Sequence, residues 1–264
     1  VSSTDLLRGR SILVTGGAGA IGSLAVRTLA DHGAQVVAND VIPERTAIAA
    51  IDDERVAYLR GDGSTRAGAD RLIRLATKRM DGLTDVVLLA GTVLPGGLLE
   101  QTRESIDRTF DINVAAATIT AQAAVRRWTR SQQPGNLVFV SSWVQDVAWP
   151  GIAPYSASKA AMRSMARSFA REFAAAGIRA NVLAPGIVGV GMARRQWDDE
   201  PDYRRRARRA VPLGDLQAPS SVADALVFLC SPMSSYMTGS SLLVDGGASL
   251  YPLDPEELGD DSSG

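Results

Sequence analysis

Short apolar runs and segments of helical period alternate along this chain from near its first residue to about residue 247, and no Pro/Gly/Ser-rich linker or internal repeat breaks the rhythm. Such alternation can close only as parallel strands joined by helical crossovers. The pattern is plainest at the start. Ser11 to Thr15 is a β-branched run, Ile21, Leu24, Ala25 and Leu29 follow at helical spacing, and Ala34 to Asp40 is the next apolar run, making one βαβ unit. Val56 to Leu59, Asp85 to Ala90, Asn136 to Ser141, Arg179 to Ala184 and Ser241 to Asp245 supply further strands. At 264 residues, a single α/β domain accommodates all of them. Two stretches fall outside the rhythm. Met192 to Val211 carries seven arginines and four acids and reads as an insertion over the sheet; 251–264, acidic from Leu253 onward, has little to bury.

Charge narrows the function classes. Lys and Arg number 28 against 29 Asp and Glu, so no chain-wide basic field exists to hold nucleic acid or an anionic membrane surface. No apolar run is long enough for a bilayer span, and the N-terminal residues lack the regions of a signal peptide, so neither a membrane nor a secreted setting is expected. With a lone Cys230 an internal disulfide is impossible, and a reducing cytoplasm is the expected compartment. One cysteine and one histidine are too few for a His/Cys zinc site, so no metal is expected and the chemistry falls to Ser, Tyr, Lys, Asp, Asn or a bound cofactor.

Two constellations carry that chemistry. Thr15-Gly16-Gly17-Ala18-Gly19-Ala20-Ile21-Gly22 closes a strand and opens a helix, where free N–H groups and the helix dipole favour a pyrophosphate. A glycine-rich turn alone is often an ordinary connection. Asp40, eighteen residues past Gly22 at the end of the second strand, is where a carboxylate binds the ribose diol of an adenosine, and this favours a dinucleotide. The second is Tyr155-Ser156-Ala157-Ser158-Lys159, with Ser142 thirteen residues before the tyrosine at a strand end. Tyr155 and Lys159 lie one helical turn apart, and an ammonium beside a phenol lowers its pKa from about 10, making an acid/base usable near neutrality. Such pairs are common by chance; the upstream serine, the glycine turn and the lack of a rival histidine decide for function.

These residues resemble the short-chain dehydrogenase/reductase family in its classical branch, from about Leu7 to Ala248. Asp62-Gly63 is similar to the family's adenine contact, Asn113 in Phe110-Asp111-Ile112-Asn113-Val114 to its helix asparagine, Pro185-Gly186 to its nicotinamide-side turn, and Thr238-Gly239 with Val244-Asp245-Gly246-Gly247 to its C-terminal signature. The resemblance implies a doubly wound α/β sheet of order 3-2-1-4-5-6-7, one NAD(P)-binding domain over 1–250 with a substrate loop at about 190–212, and a homotetramer. Tyr155 would transfer the proton, Ser142 would bond the substrate oxygen, Lys159 would tune Tyr155 and contact the nicotinamide ribose, and Asn113 would hold a water linking Lys159 to solvent. The cofactor contacts implied are Gly16, Gly19, Ala20, Ile21, Gly22, Asp40, Asp62, Gly63, Ala90, Gly91, Tyr155, Lys159, Pro185, Gly186 and Val188. Asp40 selects NAD.

Three positions depart from the pattern. Ala20 replaces a glycine, so that Gly16, Gly19 and Gly22 take the spacing of the family's extended branch; Leu88-Leu89-Ala90-Gly91 loses two amides; and Val190 stands where a threonine is frequent. Altered local bonding and cofactor affinity are expected, with the reaction type kept. Ser142, Trp143, Trp149 and Trp197 border the expected substrate space, so an aromatic wall competes there with plain core packing. His32 reads as a helix C-cap, Cys230 as core, and Met162, Met165, Phe169 and Phe173 as a packing or subunit-interface stripe. Arg204, Arg205, Arg206, Arg208 and Arg209 read first as a solvated helix face, with Arg204 and Arg208 able to share an anion. The function expected is NAD-dependent interconversion of a secondary alcohol (cyclic, polyol, terpenoid or steroid-like) and its ketone. A 3-oxoacyl-(acyl-carrier-protein)-type reductase and a non-catalytic nucleotide-binding regulator are the alternatives; the former would use exposed arginines to dock an acidic carrier.

Overall fold

The computed structural model describes residues 5–250; the acidic stretch 251–264 lies outside the described residues. Seven strands, β1 (Ser11–Thr15), β2 (Gln35–Asp40), β3 (Val56–Arg60), β4 (Asp85–Leu88), β5 (Gly135–Val140), β6 (Ile178–Pro185) and β7 (Ser241–Val244), form one sheet of order β3-β2-β1-β4-β5-β6-β7. Every pairing is parallel, with Leu13 beside Val37 and Val86. The order reverses between β1 and β4, and that reversal opens the crevice in which doubly wound sheets bind ligands.

Alternation along each strand divides the core into two layers. Ile12 and Val14 point to one face, against Ala25, Val26 and Leu29 of α1 (Ala20–Asp31), Ala47 of α2 (Glu44–Ile51) and Leu226 and Cys230 of α9 (Pro219–Cys230). Leu13 and Val86 point to the other, against Leu72 of α3 (Arg66–Arg79), Trp128 of α5 (Ala116–Ser131) and Met162 and Phe169 of α6 (Ala153–Phe173). Cys230 and the Met162/Phe169 stripe are therefore core, as their spacing suggested.

Local signals set the helix starts. Thr65 accepts from the Gly68 N–H at 3.1 Å to cap α3; Thr102 accepts from the Ser105 N–H at 3.1 Å to cap α4 (Arg103–Phe110). Pro154 sits in the first turn of α6, where its missing N–H costs nothing. His32 takes the C-cap of α1 through its main-chain N–H, bonded to the Thr28 carbonyl. Residues 192–211 are a helical pair rather than a loop: α7 (Gly191–Asp199) and α8 (Pro201–Ala210), which buries Trp197, Tyr203 and Ala207.

Candidate active site

The Gly16–Gly22 turn and the C-terminal ends of β1, β2 and β4 enclose a cavity of about 840 Å³, lined by Gly16, Gly19, Ala20, Ile21, Gly22, Asp40, Asp62, Gly63, Ala90 and Gly91. Ten of the residues named from sequence as cofactor contacts thus share one cavity. Two glycines are dictated by approach. Gly16 has φ +69° and its Cβ would lie 2.8 Å from the Ala90 Cα, while a Cβ on Gly22 would lie 2.1 Å from the Gly16 carbonyl oxygen. Gly19, the N-cap of α1, offers no side chain to the first-turn N–H groups, so these remain open to an anion. A dinucleotide fits this cradle: anion-seeking N–H groups at one side, a carboxylate at the second strand end, and small residues at the fourth.

Asp40 is held at the rim by its own turn, its Oδ1 accepting from the Val41 N–H at 2.8 Å. Beside it stands a cation that the sequence reading passed over. Arg60 is the register partner of Asp40 on β3, and its Nε donates to the Val41 carbonyl at 3.0 Å. Asn39, Thr15 and Thr120 also line the cavity unannounced. The Asn39 Nδ2 donates to the Leu59 and Gly61 carbonyls, and the Thr15 hydroxyl accepts from the N–H groups of Leu89 and Ala90 at 3.2 and 3.3 Å. Thr15 thereby anchors the end of β4 where Leu88 and Leu89 have replaced two amides, and both leucines pack into the core layers instead. For Thr15 and Asn39 the signal is a polar residue at the end of an apolar strand; Thr120 lies within α5 and carries no such signal.

On the other side the cavity is lined by Val190 and Gly191 rather than by Pro185, Gly186 or Val188. The Gly186 N–H bonds the Gln217 Oε1 at 2.7 Å, a Cβ there would lie 2.7 Å from the Asp245 Cα, and Val188 pairs with Gln217. These three residues hold the turn that presents Val190.

Gly91 joins the cavity to the second constellation. A Cβ on Gly91 would sit 3.2 Å from the Asn113 Oδ1 and 3.3 Å from the Lys159 Nζ. Asn113 lies in a π turn, Asp111–Ala115, between α4 and α5. Its side chain is fully engaged: Oδ1 accepts from the Thr92 N–H, and Nδ2 donates to the Thr92 carbonyl and the Ser158 Oγ, all within 2.7–2.9 Å. Lys159 donates from Nζ to the Val140 carbonyl at 2.9 Å and stands 5.4 Å from the centre of the Tyr155 ring. Ser141, beside Ser142, donates its hydroxyl to the Lys159 carbonyl at 2.8 Å, tying the end of β5 to α6.

Burial governs the electrostatics here. The Tyr155 phenol is pushed up to about 12 by desolvation, which the Ser142 hydroxyl, in hydrogen-bonding reach, partly offsets. Lys159 is pulled down to about 8 by desolvation alone. The expected lowering of the phenol by Lys159 is not what this structure holds, because the ammonium is spent on the Val140 carbonyl and burial outweighs it.

The tryptophans divide. Trp143 and Trp197 are buried among Ile187, Tyr203 and Val211, whereas Trp149, like Val147, Ile152 and Tyr155, is half-buried against that cluster and meets Trp143 edge-on at 5.3 Å. Arg205, Arg206, Arg208 and Arg209 of α8 are exposed, as a solvated face requires, while Arg204 is half-buried and its guanidinium is taken up by main-chain carbonyls rather than left for an anion. Arg204 donates to the Trp197 and Asp198 carbonyls at 2.6 and 2.7 Å, Arg206 stacks 4.9 Å from Trp149, Arg208 stacks 5.5 Å from Trp197, and Arg205 pairs with Asp202. Arg206 and Arg208 thus stack on aromatic faces from other segments while staying exposed to water.

A family model described as enoyl-(acyl carrier protein) reductase matches residues 16–249. The 3β-hydroxysteroid dehydrogenase 1 of Eggerthella lenta is 31% identical over 253 residues, covering 94% of this chain and 97% of that protein. The chain belongs to the short-chain dehydrogenase/reductase family. Glucose 1-dehydrogenase of Gluconobacter oxydans is 31% identical over 252 residues, covering 94% of each. A gluconate 5-dehydrogenase from Burkholderia cenocepacia, solved with NADP and tartrate, superposes with a TM-score of 0.85 at 28% identity, covering 93% of this chain and 98% of that one. This member of the family is an oxidoreductase acting on CH–OH groups with a nicotinamide cofactor. No helix among the described residues is long and apolar enough to cross a membrane.

Proposed function

We propose that this enzyme is NAD-dependent and interconverts a secondary alcohol and its ketone, with Ser142, Tyr155 and Lys159 as its catalytic residues. The observation that carries the reading is that Lys159 stands beside Tyr155, which Ser142 in turn bonds, while the Lys159 Nζ reaches Gly91 on the wall of the dinucleotide-shaped cavity. When bound, the nicotinamide accepts or returns the hydride and, oxidised, brings positive charge. Tyr155 takes the hydroxyl proton during oxidation and returns it to the carbonyl oxygen during reduction. Ser142 donates to that oxygen as charge develops on it. Lys159, fixed on the Val140 carbonyl, reaches the ribose side of the cavity at Gly91. The Asn113 side chain is occupied, so a water-holding role falls to the main chain of its π turn.

Asp40 at the rim supports NAD, since its carboxylate accepts from a ribose diol and repels a 2′-phosphate. Arg60 weighs the other way, but its Nε is held by the Val41 carbonyl. The half-buried Trp149, Val147 and Ile152, which pack against the same apolar cluster as Tyr155, support a ring-bearing apolar alcohol, terpenoid- or steroid-like, ahead of an open polyol. In this reading α7 and α8 form the substrate-side wall of one domain, the small-molecule substrate needs no macromolecular partner, and the enzyme works in the cytoplasm. A homotetramer belongs to the same proposal; the half-buried Met165 and Phe173 beside a groove of about 600 Å³ between α5 and α6 support it.

One second reading has an observation behind it. Arg66, Arg74, Lys78, Arg126, Arg127 and Arg130 line a groove between α3 and α5, a surface an acidic acyl carrier would favour. A panel of alcohols, ketones and 3-oxoacyl thioesters followed by NADH absorbance separates the two. Fastest turnover with cyclic secondary alcohols is expected; thioesters outpacing them would favour the second reading, and no turnover with any would defeat both.

A further inference from the structure

The sheet ladder between β2 and β3 stops at Asp40 and Arg60, and the chain then crosses Val41, Ile42 and Pro43 before α2 begins. Such a connection commonly leaves its carbonyls to water. Here three in succession are taken from the side of β3. The Asp40 carbonyl accepts from the Gly61 N–H at 3.0 Å, the Val41 carbonyl from the Arg60 Nε at 3.0 Å, and the Ile42 carbonyl from the Tyr58 hydroxyl at 2.6 Å, which also lies 3.1 Å from the Asp40 carbonyl. The next carbonyl, that of Pro43, accepts from the Thr46 and Ala47 N–H groups of α2.

Two side chains therefore do for this turn what a ladder does for a strand. Tyr58 and Arg60 are two residues apart on β3 and share a face with their register partners Ala38 and Asp40. The Tyr58 ring packs against the apolar layer of α1 and α2, which aims its hydroxyl. Burial, and after it the Asp40 charge, hold this phenol above its ordinary range, so it stays a donor. Arg60 is exposed, and its Nε bonds the main chain of the turn rather than the Asp40 carboxylate.

We propose that Tyr58 and Arg60 are positioning residues for cofactor selection, holding the Asp40–Ile42 turn so that the Asp40 carboxylate stays at the 2′ position of the adenosine ribose. The inference rests on the reading of Asp40 as the residue that favours NAD. A carboxylate repels a 2′-phosphate, and accepts from a diol, only while it cannot swing aside. Releasing the turn should therefore narrow the preference from both ends, weakening NAD and admitting NADP. Lys159 meets the cavity at Gly91, just past β4 and two strands from β2, so the chemical step should be spared. Charge alone predicts the opposite sign for Arg60: removing a cation near a 2′-phosphate would widen the preference for NAD.

Fluorescence titration of the full chain with NADH and NADPH reads the ratio of their Kd values without turnover. The unmodified protein should bind NADH more tightly. Arg60→Met, which has no donor, should narrow the ratio by at least ~5-fold, and Tyr58→Phe by at least ~3-fold, as expected for one lost hydrogen bond. Arg60→Gln places an uncharged N–H donor where Nε stands and should keep the ratio within twofold or widen it. Turnover number with NAD should stay within twofold in all three variants. Hydrogen exchange of residues 41–46 in the cofactor-free protein should quicken in Arg60→Met and Tyr58→Phe. A wider ratio in Arg60→Met, an unchanged ratio in both donor-less variants, or equal weakening of both cofactors would overturn the proposal and leave the reading of Asp40 standing. Tighter binding of NADPH by the unmodified protein would defeat that reading and the proposal with it.

Discussion

Gly22→Ala sets two effects of known sign against each other. Alanine is the better helix former by about 1 kcal/mol, and Gly22 lies inside α1 in ordinary helical conformation, so propensity alone predicts a more stable protein. Its Cβ, however, would lie 2.1 Å from the Gly16 carbonyl oxygen and 2.9 Å from the Gly17 Cα. The first distance is more than ~1 Å inside the usual closest approach of carbon and oxygen, and both obstacles are backbone, which has no rotamer to yield. Overpacking of this kind costs about 1–3 kcal/mol, leaving a net loss of up to about 2 kcal/mol after the helix gain and a fall in Tm of several degrees, ~2–8 °C. The turn must move to relieve the contact, so KM for the dinucleotide should rise by at least ~10-fold, as a pyrophosphate held by main-chain N–H groups tolerates little displacement. Gly19→Ala is the control. Its Cβ would be 3.3 Å from the same oxygen, and as an N-cap change it should cost only about 0.5–1 kcal/mol. Differential scanning fluorimetry with KM measurement separates them. A Gly22→Ala enzyme as stable as the unmodified protein, with KM within twofold, would refute the close-packing argument.

Cofactor choice should follow Asp40: preference for NAD over NADP of at least ~10-fold in kcat/KM, about 1.4 kcal/mol, narrowed in Asp40→Ala; equal or better use of NADP by the unmodified enzyme would sink this assignment. Stability should also carry the mark of Lys159. Its folded pKa of about 8 lies below the ordinary 10.5, so the unfolded chain binds more protons between those values. Stability therefore rises with pH from about 8 upward, by at most about 1.4 kcal/mol per unit. Above pH 10 the Tyr155 phenol, protonated up to about 12 when folded, acts in the opposite sense. Urea unfolding of the unmodified protein and Lys159→Met between pH 7 and 10 checks the first effect, which should flatten in the variant; parallel curves would contradict the burial of a titrating lysine.

Period and spacing disclosed most of the fold because they report the two constraints a buried parallel sheet cannot escape: apolar strands covered on both faces, and a helical return for every strand. Ile12, Leu13 and Val14 had to face alternate layers, and they do. The glycine turn and Asp40 were legible for a similar reason, since one helix start and one strand end fix their relative place. Contacts between residues distant in sequence were not. Arg60 reaches the Asp40 turn because β3 pairs with β2, and Thr15 braces Leu89 and Ala90 because β1 pairs with β4. Arg206 is exposed as its helical spacing indicates, but spacing says nothing about its stacking on Trp149, which arrives from a loop some sixty residues earlier. The pKa of Tyr155 was misjudged on the same ground: adjacency to Lys159 on one helix face is visible in sequence, whereas the burial that outweighs it is a property of the packed site.

The claim that Tyr155 moves the proton meets its most direct test in Tyr155→Phe, which keeps the aromatic ring and removes the hydroxyl. Turnover of the best alcohol, followed by NADH absorbance, should fall by at least ~10²-fold, while NADH binding, followed by its fluorescence, should stay within twofold of the unmodified enzyme. Near-normal turnover in that variant would contradict the account.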